Sequence, residues 1–166
     1  MIEVKSSSPD ATKAIAAAVA SMTRSGDLIV LTGDLGAGKT AFVQGFGAAL
    51  GVVERITSPT FTLVHDYQGA QLLVHHLDVY RLEDVYEVFD LSLPELLDDG
   101  SVTIIEWGDR VSSELPPNYL EVRLRLGDPA RPDDRVLEFV AIGNAWVDRL
   151  AEFEVAFSSL EVPEPC

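Results

Sequence analysis

A chain of 166 residues, 47% hydrophobic and 23% charged, has the size and composition of one globular domain able to bury a core unaided. Most of its formal net charge of −15 falls on residues 77–166, and that half cannot supply the basic face that direct nucleic-acid binding uses. No apolar run approaches the ~18 residues of a membrane span, and the single cysteine, Cys166, excludes an intrachain disulfide and fits a reducing, cytoplasmic setting.

In chain order, residues 2–5 read as a short strand, and "SSSPD" supplies cap residues for a helix over about 10–24. Within it "AIAAAVASM" resembles a signal-peptide core. It follows Glu3 and Asp10 and leads into a glycine loop, so it is read as an alanine-rich helix. "GDLIVLTG" is a buried strand bounded by glycines, and a helix follows over Lys39 to Leu50 with Gly51 as its stop. "SPTFTLVHDY" and "QLLVHHLDVY" read as strands of a hairpin joined through "QGAQ". Residues 83–98 read as helical with a break near Pro94, "SVTIIEW" as a buried strand and "ELPPNY" as a turn. "YLEVRLRL" and "RVLEFVAI" alternate as strands around the loop "GDPARPDD". A short helix over 144–153 precedes a disordered acidic tail over 156–166. The expectation is a single α/β domain over 1–155, one sheet flanked by helices.

"LTGDLGAGKTAF" (31–42) carries the chemistry. Gly33, Gly38, Lys39 and Thr40 meet the pattern G-x-x-x-x-G-K-[ST] of the phosphate-binding P-loop, and Gly36 and Ala37 between them are small as well. Small side chains let successive backbone N–H groups turn inward around phosphate oxygens, and the following helix adds its positive N-terminal end. The nucleotide-holding stretch is thus Gly33, Asp34, Leu35, Gly36, Ala37, Gly38, Lys39, Thr40 and Ala41. Lys39 reaches the β- and γ-phosphates, and the Thr40 hydroxyl ligates Mg²⁺. The chain has only three lysines, Lys5, Lys13 and Lys39, so one placed inside this loop is chemistry rather than surface solvation.

Magnesium chemistry on a triphosphate also needs a carboxylate at the end of a neighbouring buried strand. Asp78 ends "LLVHHLD" and Glu106 ends "VTIIE", and both are placed to project from the carboxyl edge of the sheet. "TSPTF" (57–61) sets Thr57, Ser58 and Thr60 around a rigid proline, either as a switch that senses the γ-phosphate or as a plain turn. His75 and His76 point to opposite faces of a strand, and they and His65 are not read as metal ligands. No Asn-Lys pair exists, which excludes guanine reading of the N-K-x-D type and favours ATP.

The set "GDLGAGKT", "SPTFTLVHDY", "HLDVYRL" and "IIEWGDR", in that order and spacing, resembles the bacterial TsaE family over residues 3–140. That family supplies the ATPase subunit of the machinery installing threonylcarbamoyladenosine on transfer RNA. The resemblance implies a P-loop NTPase-type sheet with a small late β portion. It implies ATP and Mg²⁺ as ligands, with Lys39 on phosphate, Thr40 and Glu106 at the metal, Glu106 also at the attacking water, and Asp78 in support. It makes "TSPTF" the switch, places Thr12 near adenine, and brings Arg131 or Arg135 toward the nucleotide. Trp107 would pack near the nucleotide or a partner, or serve as a core residue.

The implied function is slow ATP hydrolysis that resets a complex of a TsaD-like transferase and a TsaB-like partner, without transfer of the threonylcarbamoyl group by this chain. Charge agrees: residues 1–76 hold six acids and five bases, whereas residues 77–166 hold 21 acids and seven bases. The acidic half reads as plain solubility or as a docking face for a basic partner protein, and no stable binding to naked transfer RNA is expected. The alternatives are a small-molecule P-loop kinase, which would need an acceptor pocket, and a nucleotide switch with negligible turnover.

Overall fold

The computed structural model describes residues 1–82 and 93–158. Strand β1 (Ile2–Ser6) leads into helix α1 (Pro9–Ser21). The Ser8 hydroxyl accepts from Ala11 N–H, Pro9 occupies the first turn where no donor is missed, and Asp10 sits at the positive helix end. Then come β2 (Leu28–Thr32), α2 (Lys39–Ala49), β3 (Val64–Gln68), β4 (Leu73–Asp78), α3 (Leu93–Asp98) and β5 (Val102–Glu106). A 3₁₀ turn over Gly108–Glu114, strands β6 (Tyr119–Leu126) and β7 (Arg135–Ile142) and helix α4 (Asn144–Ser158) complete the order.

The strands form one seven-stranded sheet in the order β1-β7-β6-β2-β5-β4-β3. β6, β2, β5 and β4 run parallel, while β1 on β7, β7 on β6 and β3 on β4 are antiparallel. The two late strands are therefore an extension of the parallel sheet through the β2–β6 pairing. Every residue of β2 and β5 is buried, because both faces are covered. Ile29 and Leu31 pack into a cluster with Ile15 and Val19 of α1, Phe42 and Phe46 of α2, and Trp146 and Phe153 of α4. Leu28 and Val30 face the other way, onto Leu77, Leu93, Ile105 and Val111. Arg149 ties α4 to the turn before β2: it donates to both carboxylate oxygens of Asp27 at 2.8 and 2.7 Å and to the Met22 carbonyl at 2.7 Å. Among the described residues no helix is long and apolar enough to cross a membrane.

Three readings need correction. Residues 57–63 are loop and turn, and the first hairpin strand begins only at Val64, because Pro59 and its turn bonds to Thr62 and Leu63 N–H end any ladder there. The strand before Trp107 stops at Glu106, since Trp107 adopts a left-handed conformation with φ of 63°. The last helix runs past 153 to Ser158, held by Phe153 and Phe157 against Phe139, so the first three residues assigned to the tail are helical. The remainder of that tail, 159–166, and the part of the expected helix over 83–92 lie outside the described residues. α3 carries the rest of that helix, with Pro94 in its first turn.

Candidate functional site

The site is built where β2, β5 and β4 end side by side. Register sets Leu31 opposite Glu106 and Asp78 opposite Glu106, so both acids stand at the carboxyl edge beside the loop that leaves β2. Gly33 opens that loop at φ +132°, and a Cβ there would run into the Leu124 carbonyl of β6. Gly38 closes it at φ +104° and caps α2, a conformation that L side chains rarely adopt. Glycine at both ends thus lets the backbone turn where a side chain would be strained or clash, the kind of loop that can cradle an anion.

Lys39 is only 5% exposed. Its Nζ donates to the carbonyls of Gly33 at 2.6 Å and Asp34 at 2.9 Å and lies 3.6 Å from the centroid of the Trp107 ring. Burial lowers its pKa, opposed by the charges of Glu106, Asp78, Asp109 and Asp34. The left-handed turn at Trp107 is what swings the indole back over the loop. Trp107 also packs against Tyr80, with ring centroids 4.7 Å apart and the planes tilted by 43°. Between these groups lies a cleft of about 380 Å³, lined by Leu35, Gly36, Gly38, Lys39, Thr40, Ala41, Ser58, Thr60, Asp78, Tyr80, Glu106 and Trp107.

Glu106, 2% exposed, accepts from the Thr40 hydroxyl at 3.2 and 3.3 Å and from Nε2 of His76 at 2.8 Å. Asp78, 3% exposed, accepts on one oxygen from Ser58 at 2.7 Å and Thr60 at 3.0 Å, and on the other from Tyr80 N–H at 3.0 Å. The Ser58–Pro59–Thr60 segment is therefore fastened to the sheet edge by side-chain hydroxyls, not by a ladder. Tyr67 fastens its other end, its hydroxyl lying 3.3 Å from Thr57 N–H and 3.4 Å from the Thr57 carbonyl. Hydroxyl and carboxylate oxygens are the only donors that Thr40, Ser58, Thr60, Asp78 and Glu106 present, and such a hard oxygen set suits Mg²⁺. With a glycine-rich loop and the Lys39 ammonium beside it, the residues fit a magnesium–triphosphate ligand.

Of the residues expected here, the loop, Lys39, Thr40, Asp78 and Glu106 converge, and Ser58 and Thr60 join them. Ala37 is fully buried beneath the loop and Ala41 lines the cleft. Arg135 donates to the Gly36 carbonyl at 3.1 Å, whereas Arg131 pairs with Asp128 and Asp134. Thr12 is buried, hydrogen-bonded to Ser6 at 2.8 Å, and is not among the residues lining the cleft. Sequence reasoning missed two contributors. Tyr80 closes one wall, and His76 sits behind Glu106. The usable signal for His76 was its spacing of two from Asp78 on a strand, which places both on one face. His75, on the other face, lies between Asp66 and Asp99 at 2.7 Å each.

Residues 6–132 match the sequence pattern of the family described as threonylcarbamoyl adenosine biosynthesis protein TsaE. The Bacillus subtilis tRNA threonylcarbamoyladenosine biosynthesis protein TsaE is 41% identical over 139 residues, covering 83% of this chain and 84% of that protein. The protein of the same name from Treponema pallidum is 45% identical over 108 residues, 65% of this chain and 79% of its own. The crystal structure of Bacillus subtilis YdiB superposes with a TM-score of 0.80 at 31% identity, over 93% of this chain and 95% of the other. Matched to the family pattern over residues 6–132 and 41% identical to a relative over 83% of its length, the chain belongs to the TsaE family.

Proposed function

We propose that this chain is a magnesium-dependent ATPase acting in threonylcarbamoyladenosine modification of transfer RNA, working on a TsaB–TsaD-type complex in the cytoplasm rather than transferring the group itself. One observation carries the reading: Lys39 and Thr40 open α2 directly beside Glu106 and Asp78, which are paired in register on adjacent strands. The loop amides and Lys39 bind the phosphates, and Thr40 with Glu106 would hold the metal. Bound there, Mg²⁺ supplies positive charge to the phosphate oxygens. Glu106 orients the attacking water and takes up its proton, because it is a buried acceptor at the open end of the sheet. Asp78 holds Ser58 and Thr60, so the segment beside the phosphates is ordered by the same edge that carries the acid. The absence of an N-K-x-D segment favours adenine over guanine.

The test is phosphate release by the full chain with Mg-ATP, alone and with a TsaB–TsaD-type pair. Stimulation by the protein pair is expected. Turnover raised only by a small-molecule acceptor, with none from the pair, would turn the reading to a kinase.

A further inference from the structure

His76 is the most completely buried polar side chain at the site, with 0% exposure. It stands on the same face of β4 as Asp78, opposite Ile104 of β5, one alternation below the acid pair. Its Nε2 contacts one oxygen of Glu106 at 2.8 Å, the same oxygen that Thr40 approaches at 3.2 Å, whereas the other oxygen has Thr40 alone at 3.3 Å. Its Nδ1 is buried with no hydrogen-bond partner among the described residues. A histidine kept only for packing would be replaceable by an apolar side chain with no orphaned nitrogen. Here the fold tolerates the orphan, and the single bond the ring makes goes to the acid.

We propose that His76 is a positioning residue: its Nε2–H holds one oxygen of Glu106 against the sheet, so that the other stays turned to the cleft when Thr40 engages the metal. A carboxylate can only accept, so the contact needs a proton on Nε2. Without that donor, Glu106 would keep only the Thr40 hydroxyl, the group that metal binding claims. The ring also ties the acid to the segment beside the phosphates. Tyr67 lies against it at 6.4 Å between centroids, and the Tyr67 hydroxyl meets the Thr57 backbone. The inference rests on the ATPase reading of Glu106.

Two measurements on the full chain test it. The first needs no turnover: the imidazole ¹⁵N–¹H correlation of nucleotide-free protein, with His76 assigned by its loss in His76→Gln. A proton on Nε2, with a resonance displaced in Glu106→Ala, is expected. A proton on Nδ1, or indifference to Glu106→Ala, overturns the proposal. The second is single-turnover hydrolysis of Mg-ATP beside the dissociation constant for ATP and the melting temperature. His76→Leu should slow hydrolysis about 10- to 100-fold, as loss of an outer-shell partner does, and leave ATP affinity within about threefold. Gln carries its amide nitrogen as far along the side chain as Nε2, and Asn only as far as Nδ1. His76→Gln should therefore recover most of the rate and His76→Asn should not. Rates that follow melting temperature alone, with no advantage for Gln, would make the role structural and sink the proposal. Wild-type hydrolysis in His76→Leu while Glu106→Ala is inactive defeats this inference and spares the ATPase reading. Wild-type hydrolysis in Glu106→Ala defeats both.

Discussion

Replacing Lys39 by Ala tests the loop most directly. In the free protein the ammonium already has two carbonyl partners and the Trp107 face, so turning to phosphate exchanges contacts and does not create them from nothing. A hydrogen bond to a charged group contributes about 1.5–3 kcal/mol. The exchange places the net loss near the middle of that range, about 2 kcal/mol, or roughly 30-fold in ATP affinity. Stability should change little. The truncation leaves two loop carbonyls beside an open cleft where water replaces the lost donor, and it removes an ammonium whose burial already disfavours its charge. Calorimetry of Mg-ATP binding at matched magnesium measures the first effect, and urea unfolding the second. Affinity within threefold of wild type would refute the placement of phosphate at Lys39. A 30-fold loss accompanied by unfolding would refute the claim that the lysine serves the ligand rather than the fold.

Glu106→Ala should retain ATP binding within about tenfold, because loop and lysine persist, yet lose hydrolysis by roughly 100-fold or more; equal loss in both would contradict the assignment. Arg149→Met should cost about 2 kcal/mol in urea unfolding, since it leaves the half-buried Asp27 carboxylate with only the Arg24 N–H as partner; a loss below about 1 kcal/mol would show the pair to be solvated. Burial of His75 favours its neutral ring, but hydrogen bonds to and charges of Asp99 and Asp66 outweigh this and raise its pKa above 6.5. A raised folded pKa stabilises fully below about pH 6.5 and is lost as pH climbs through the folded value. Unfolding free energy measured from pH 6 to 9 should fall in the wild type relative to His75→Leu; parallel curves would refute the ion pair. Residues 77–166 carry 21 acids and seven bases. Association with a TsaB–TsaD-type pair should therefore slow as salt rises from about 0.1 M to 1 M, where the Debye length falls from about 10 to 3 Å; salt-independent kinetics would reduce the charge to solubility.

What was legible in the sequence was whatever depends on backbone sterics over a few residues. Gly33 and Gly38 mark a loop that only glycine can follow, Lys39 and Thr40 stand at a fixed offset from it, and Asp78 and Glu106 each end an apolar run. Buried strands and their terminal acids are local facts, because a fully covered strand must be apolar until it reaches the edge. Which acids meet is not local: Asp78 and Glu106 are neighbours only because β5 lies between β2 and β4 in parallel register. The same holds for Arg135 over Arg131, which lie on the same loop-to-strand passage but differ in reach to the Gly36 carbonyl. "SPTF" carries β-branched and aromatic residues and reads as strand, yet hydroxyl bonds to Asp78, twenty and eighteen residues away, hold it as a loop. His76 was visible as a buried strand residue but not as the partner of Glu106, thirty residues on. Pattern and propensity are set by nearest neighbours along the chain, whereas strand order and side-chain pairing are set by how the sheet closes its core, and the sheet decided which of the visible residues share one cleft.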